Sequence, residues 1–469
     1  MTKAGIASTA LVVIATAGIA GAWYTGTQLE AVLQQNIQQA NQQLNNQFPN
    51  TDLALELASL EKGLFSSQAR YRLVVQAPET DSSGMELFIN DRIEHGPWPA
   101  SRLVSFKWLP VMAVSHAQLE PHDALAGLFA ASAGRPPVTL TSSVGYGRGI
   151  QGEFEVAPLN WSSSGVNGNF SGLSAVYRTD AAGSAFKLKG RVDSMELQGH
   201  ARVSLVGMDI TLDRQRHASG LYLGTGRVEL DQLAVVADDI PAVVISEMLQ
   251  ADTTTMDADG ANMALTYRIG SVNYGANRLG SLDMGWTLSR FDPQAMMALA
   301  GLYNSVIFET DNTDPQAIHD QFQAALEQLL DGHPRLSLDN LSLRTANGES
   351  RFNLGLDLVR PQSLKLPPDL LWPQLIANLE ARLVLSKPML MDMLQYRALF
   401  QPQADVAAVE RDAALMVEML SGMAEMLQLG RVEGDNIVSQ LSYTGGAVQL
   451  NGQAMELEEL TGLLSQSMQ

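Results

Sequence analysis

Phe352-Asn353-Leu354-Gly355-Leu356-Asp357-Leu358 carries an apolar side chain at every second position. Successive side chains of an extended strand point to opposite faces, so this heptapeptide reads as a strand with one apolar and one polar face. Working outward, Leu379, Ala381, Leu383 and Leu385 repeat the pattern, with Glu380 and Arg382 turned the other way. The same period marks Leu53, Leu55 and Leu57, then Val138, Leu140, Ser142, Val144 and Tyr146. Phe186 and Leu188 alternate with Lys187 and Lys189, and Leu265, Tyr267 and Ile269 form another such set. Glycine-rich punctuation separates the strands at Gly147-Arg148-Gly149, residues 165–172, Gly224-Thr225-Gly226 and Gly445-Gly446. Many short one-sided strands between such turns predict antiparallel sheet.

Helical spacing interrupts this pattern. Asp314-Pro315 supplies an N-cap and a first-turn proline, and Ile318, Phe322, Leu326 and Leu329 form the stripe that follows. Shorter helices are predicted over 239–251, 293–304 and 455–464, and the longest helical region over 388–429, broken near Gln401-Pro402. Met416, Met419, Met423 and Met426 fall on one side of its second half. Methionine adapts its shape, so this stripe suits a lipid tail or a variable partner; ordinary core is the commoner use of such a stripe. Earlier, eleven of the fourteen residues from Gln34 to Gln47 are Gln or Asn, with Leu33, Ile37, Ala40 and Leu44 in a narrow helical seam. Two heptads fall short of the roughly three or four that mark a coiled coil. An amphipathic helix on the protein's own sheet is therefore preferred to a stalk joining two copies in a homodimer.

From Ala4 to Tyr24 there are twenty-one residues without a charge, preceded by Lys3. A helix of that length covers about 30 Å, the thickness of a bilayer's hydrocarbon core. Ile6, Leu11, Val12, Val13, Ile14 and Ile19 would face the lipid, and Trp23-Tyr24 suit the far interface. Ala20-Gly21-Ala22 also fits a signal-peptide cleavage site, so the residues allow a retained anchor, which is preferred, or a cleaved signal. Either reading exports the rest of the chain.

The predicted architecture is α+β: an N-terminal transmembrane helix followed by an extended, curved, mainly antiparallel sheet body with packed helices. Its segments are an anchor over 1–25, an amphipathic helix over 26–50 and a β-rich region over 51–240. A mixed helix and strand region follows over 241–335. Strands with the Met-rich helical insertion and a C-terminal hairpin occupy 336–469. Thirty basic residues against fifty acidic give a net charge of −20, and cysteine is absent. That field repels nucleic acid and argues against a DNA or RNA partner, and disulfides and thiolate metal sites are excluded.

No reaction centre emerges. His95 is the most distinctive single side chain, in His95-Gly96-Pro97-Trp98-Pro99, but it lacks an oriented partner, and a structural turn is the preferred reading. Asp257-Ala258-Asp259-Gly260 resembles part of a calcium loop, yet Thr255 and Thr266 stand where its key carboxylates belong. Ser184-Ala185-Phe186-Lys187 lies in an apparent strand, where residues three apart point to opposite faces. No catalytic residue, cofactor site or metal site is assigned.

Several blocks together resemble the YdgA-like family of bacterial exported proteins, a domain of unknown function. They are Gly21-Ala22-Trp23-Tyr24-Thr25-Gly26, Gly63-Leu64-Phe65-Ser66-Ser67, His95-Gly96-Pro97-Trp98-Pro99, Leu441-Ser442-Tyr443, Val448-Gln449-Leu450-Asn451-Gly452 and Leu457-Glu458-Glu459-Leu460. Lys3 and the amino terminus favour a cytoplasmic N-terminal tail; the resemblance implies an uncleaved anchor in the bacterial inner membrane and a periplasmic body, and it supplies no catalytic residues. The expected function is a non-enzymatic envelope protein presenting an apolar groove to lipid or a lipophilic partner, by loose analogy with AsmA-like proteins. The alternative is a scaffolding subunit of a periplasmic complex.

Overall fold

The computed structural model describes residues 29–47, 52–76, 85–180, 182–238, 240–307, 315–400 and 405–456. The chain is mostly antiparallel sheet with a few helices, and it divides into two compact units, 1–218 with 301–314 and 219–300 with 315–469. The first boundary falls at 218, inside the stretch the sequence reads as one β-rich region to 240. No helix among the described residues is long and apolar enough to cross a membrane. The anchor residues Ile6, Leu11, Val12, Val13, Ile14, Ile19, Trp23 and Tyr24 lie outside the described residues.

In the first unit, helix α1 (Leu29–Gln47) precedes a meander of six strands, β1 (Asp52–Glu61), β2 (Ser66–Gln76), β3 (Met85–His95), β4 (Ala113–Leu119), β5 (Val138–Val144) and β6 (Ile150–Val156). Each pairs antiparallel with the next. Helix α2 (Ala100–Val104) lies between β3 and β4, and α3 (Ala126–Ala131) between β4 and β5. The hairpin of β7 (Leu159–Ser163) and β8 (Val166–Phe170) leads to β9 (Leu173–Thr179), β10 (Ala185–Gln198) and β11 (Ala201–Arg216). β9 returns to pair with β6. The long β10 pairs with β9 through its first half and with β8 through its second, and then with β11.

Helix α1 lies on its own sheet. Leu33, Ala40 and Leu44 are buried against Leu53, Leu55, Leu73 and Leu87, each large side chain contributing about 1.5–3 kcal/mol. Asn41 explains part of the polar bias of this helix. Its Nδ2 donates to the Leu55 carbonyl at 3.0 Å, and its Oδ1 accepts the Leu55 N–H at 2.8 Å. A side-chain amide thereby completes the backbone of β1 and protects an otherwise open strand.

The second unit runs in sequence order through β12 (Tyr222–Ala237), β13 (Ile240–Asp257), β14 (Gly260–Tyr274), β15 (Asn277–Phe291), β16 (Arg335–Arg344), β17 (Glu349–Leu358) and β18 (Ile376–Ser386), each antiparallel to its neighbour. Helices α4 (Pro293–Ile307) and α5 (Pro315–Asp331) separate β15 from β16, and α6 (Pro368–Leu375) separates β17 from β18. Helices α7 (Lys387–Leu399) and α8 (Val406–Met426) then lead to β19 (Arg431–Glu433), β20 (Asn436–Thr444), β21 (Ala447–Leu450) and β22 (Gln453–Met455). β20 pairs with β18, β19 and β21. Asp405 caps α8 by accepting from Ala407 and Ala408 at 3.0 and 3.4 Å.

Two sequence expectations are corrected. The helix expected over 239–251 is strand β13, because Val243, Val244 and Ile245 are β-branched and pair on both sides. Region 241–335 is accordingly mainly strand in its first half. Gly224-Thr225-Gly226 lies within β12 and not at a turn. At the C-terminus, Asn451 and Gly452, both at positive φ, turn the chain into β22, which ends at Met455; the helix expected over 455–464 falls almost wholly outside the described residues.

Gly96 is required for space. A Cβ there would sit 1.9 Å from the Val111 carbonyl oxygen and 2.7 Å from that of Met112, because Gly96 N–H donates to Met112 at 2.7 Å. Gly96→Ala should lower unfolding stability by about 1–3 kcal/mol, measured by thermal or denaturant unfolding. Gly127→Ala, in helix α3 with open space around it, should leave stability unchanged or raise it by up to about 1 kcal/mol. Equal effects at both sites would refute the packing account.

Candidate functional site

Strands β4, β5, β6, β9 and β10 lie side by side, and their register aligns side chains in rows. Val114, Ser143, Gln151, Arg178 and Lys187 are direct partners across the five strands. Two residues along, His116, Thr141, Glu153, Val176 and Lys189 form the next row on the same face. The opposite face is core, where Leu140, Val144, Ile150 and Tyr177 are buried with Met112. Tyr177 lies over Gly152, and its hydroxyl pairs with Ser142. One face therefore holds the unit together, and the other is left polar.

A short overhang turns the polar face into a cleft of about 490 Å³, with Ser101, Arg102, Ser105 and Lys107 as its wall. The overhang begins at the His95–Pro99 turn and is tied down by backbone bonds. Val111 N–H donates to Pro97 at 3.0 Å, and Lys107 N–H to Arg102 at 2.9 Å. Trp98 Nε1 donates to the Trp108 carbonyl at 3.2 Å, and Arg102 Nη2 to that of Leu109 at 3.0 Å. Glu94 accepts the Ser101 N–H at 2.9 Å and fixes the start of α2. Burial pushes Glu94 up, but the Ser101 N–H, His116 and Arg92 outweigh it and hold the carboxyl below its usual range.

The outer surface of the overhang is apolar. Trp98, Val104, Phe106, Trp108 and Leu109 are 56–80% exposed, and no acidic residue occurs from Trp98 to Leu109. Phe65 and Leu64 are also exposed, and the Phe65 carbonyl accepts the His95 N–H at 2.8 Å. The hydrogen-bonded segment thus holds several large apolar side chains in solvent.

His95, singled out from the sequence as a turn residue, is the last residue of β3. Its Nε2 lies 2.9 Å from Ser67 Oγ, and burial pushes its pKa down. Gly96, Pro97, Trp98 and Pro99 launch the overhang. Met416, Met419, Met423 and Met426 do share one side of α8, but they are exposed, while Ala413, Val417 and Ser421 form the buried stripe. Core packing is therefore not their role. Asp257 accepts the Asp259 N–H at 2.9 Å and Asn262 Nδ2 at 2.7 Å, making a hairpin turn. Sequence reasoning missed Arg102, Lys107, His116 and Arg178. The signal present was the acid-free run of aromatic and basic residues at 98–109, together with Lys187 and Lys189 opposite Phe186 and Leu188.

Beneath the cleft, on the core face, Asp91 is buried with Ser115 Oγ donating at 2.6 Å and Tyr71 at 3.4 Å. Burial raises its pKa to about 6, against the pull of Ser115, Tyr71 and the His116 N–H. An acid whose folded pKa is raised gives stability that is full below the unfolded value and lost as pH rises through the folded one. Across about pH 4–6 this loss amounts to on the order of 2–3 kcal/mol. Asp91→Asn removes the titration, so its stability relative to wild type should rise by that amount between pH 4 and pH 7, read by denaturant unfolding at both pH values. A pH-independent difference would refute it.

A model of the family described as "Bacterial protein of unknown function (DUF945)" matches residues 1–458. Protein YdgA of Escherichia coli (strain K12) is 26% identical over 489 residues, covering 99% of this chain and 97% of that protein. The uncharacterized protein YihF of the same organism is 22% identical over 473 residues, covering 94% of each. No solved structure matches the chain.

Proposed function

The chain belongs to the DUF945 family of bacterial proteins of unknown function, and from that premise we propose that it is a non-enzymatic envelope protein that holds lipid. In this reading residues 4–24 anchor it in the inner membrane, the body is periplasmic, and the AsmA-like analogy supplies the type of task. The observation that carries the reading is the overhang, where Val104, Phe106, Trp108 and Leu109 are held out in solvent beside an open cleft. At about 25 cal/mol per Å² of apolar surface, covering these side chains stabilises an acyl chain or a bilayer surface on them. Trp and Phe interleaved with Arg102 and Lys107 also match the composition of a water–lipid boundary.

A second reading, a scaffolding subunit, draws on the exposed Met419, Met423 and Met426 of α8. Such a face suits an adaptable protein contact.

Phospholipid should be released when the gently purified chain is extracted and analysed by mass spectrometry, and Phe106→Asp with Trp108→Asp should lower the yield several-fold. Lipid-free extracts from wild type would count against the lipid reading. For the scaffold, crosslinking in membranes should give a defined partner adduct that is lost in Met419→Asp/Met423→Asp. An adduct indifferent to those changes, or none, would remove the second reading.

A further inference from the structure

We infer that the cleft over β4, β5, β6, β9 and β10 is a binding site for a phosphate group, the chemistry shared by an anionic phospholipid headgroup and free phosphate. Assigning the phosphate to a lipid rests on the lipid reading above; the anion site itself stands on the cleft.

Charge is the first ground. Acidic residues outnumber basic ones by fifty to thirty along the chain, yet the cleft is lined by Arg102, Lys107, Arg178, Lys187 and Lys189 against Glu153 alone. Elsewhere in the same unit arginines are neutralised, as in Arg70–Glu120, Arg72–Glu56 and Arg191–Asp209. Among the described residues of the cleft, Lys187 has such a partner, Asp213 at 2.7 Å, and His116 Nε2 lies 3.9 Å from Glu94. Arg178 reaches no more than the Gln151 amide oxygen at 3.4 Å. Arg102, Lys107, Arg178 and Lys189 meet no carboxylate among the described residues.

Polar side chains are the second ground. Ser101, Arg102, Ser105, His116, Thr141 and Ser143 line the cleft among these cations, while Glu94 accepts the Ser101 N–H at 2.9 Å and lies 3.9 Å from His116 Nε2. Arg102 is already oriented by its bond to Leu109, so its planar fork is set for a tetrahedral oxyanion with little further ordering.

Size is the third ground. The volume, about 490 Å³, falls in the range of small-ligand sites, roughly 300–1,000 Å³. A glycerophosphate headgroup is of that size, and acyl chains leaving it past the overhang would reach the exposed Val104, Phe106, Trp108 and Leu109 on its outer surface.

The test uses native mass spectrometry of the full chain released from maltoside micelles. Dioleoyl phosphatidylglycerol and dioleoylglycerol, which has the same chains and no phosphate, are added at equal concentration, to wild type and to Arg178→Gln/Lys189→Gln. Removing two charge-assisted contacts should cut phosphatidylglycerol binding about tenfold or more, leaving dioleoylglycerol binding unchanged and the circular dichroism spectrum intact. Equal binding of both lipids by wild type, or an unchanged preference in the variant, overturns the anion site while leaving the lipid reading standing. If neither lipid binds, the lipid reading falls, and titration calorimetry with inorganic phosphate decides the site. Phosphate binding lost in the variant sustains it, and no binding overturns it.

Discussion

Register across the β4–β5–β6–β9–β10 ladder is the constraint on which the rest of the first unit depends. Side chains alternate between faces, so a slip of one residue would exchange the two faces of a strand. As paired, Leu140, Val144, Ile150 and Tyr177 go to the core, and Ser143, Gln151, Arg178 and Lys187 to the cleft. Core and cleft are thus two outcomes of one hydrogen-bonding pattern. The buried Asp91–Ser115–Tyr71 group sits on the core side of the adjoining strands and loses its polarity to no solvent. Such a group is satisfied only in the native register.

The overhang depends on the same ladder. Gly96 brings the end of β3 against Met112 just before β4, and the absence of a Cβ permits that approach. From there residues 97–111 leave and rejoin the sheet, and hydrogen bonds to the carbonyls of Pro97, Arg102 and Leu109 are made within the segment. The side chains of Val104, Phe106 and Trp108 are left outside as a consequence. The rigidity of the segment and its exposure have one cause.

Net charge and local charge point in opposite directions in this protein. A total of −20 argues against polyanions as partners at long range, but at physiological salt exposed charges are screened beyond about 8 Å. Within that distance the cleft presents mainly cations. The distribution of charge, which composition does not contain, governs what a small anion meets.

The sequence by itself determined many of the period-two strands, the proline Pro315 that opens α5, the turn at His95–Pro99, and the seam of α1; Asp314, read as its cap, lies outside the described residues. Each of these is written in residues within a few positions of one another. It also placed Met416, Met419, Met423 and Met426 on one side of α8. Tertiary structure alone decided that this side is open and that Ala413, Val417 and Ser421 are the packed ones, because periodicity tells which side chains share a face and not which face is covered. It decided likewise that residues 240–257 pair as a strand, since partners on both sides settle a β-branched run that local spacing leaves ambiguous. The cleft was legible only in fragments: Arg102, His116, Arg178 and Lys189 come from four separate parts of the chain, and strand register is what brings them to one face.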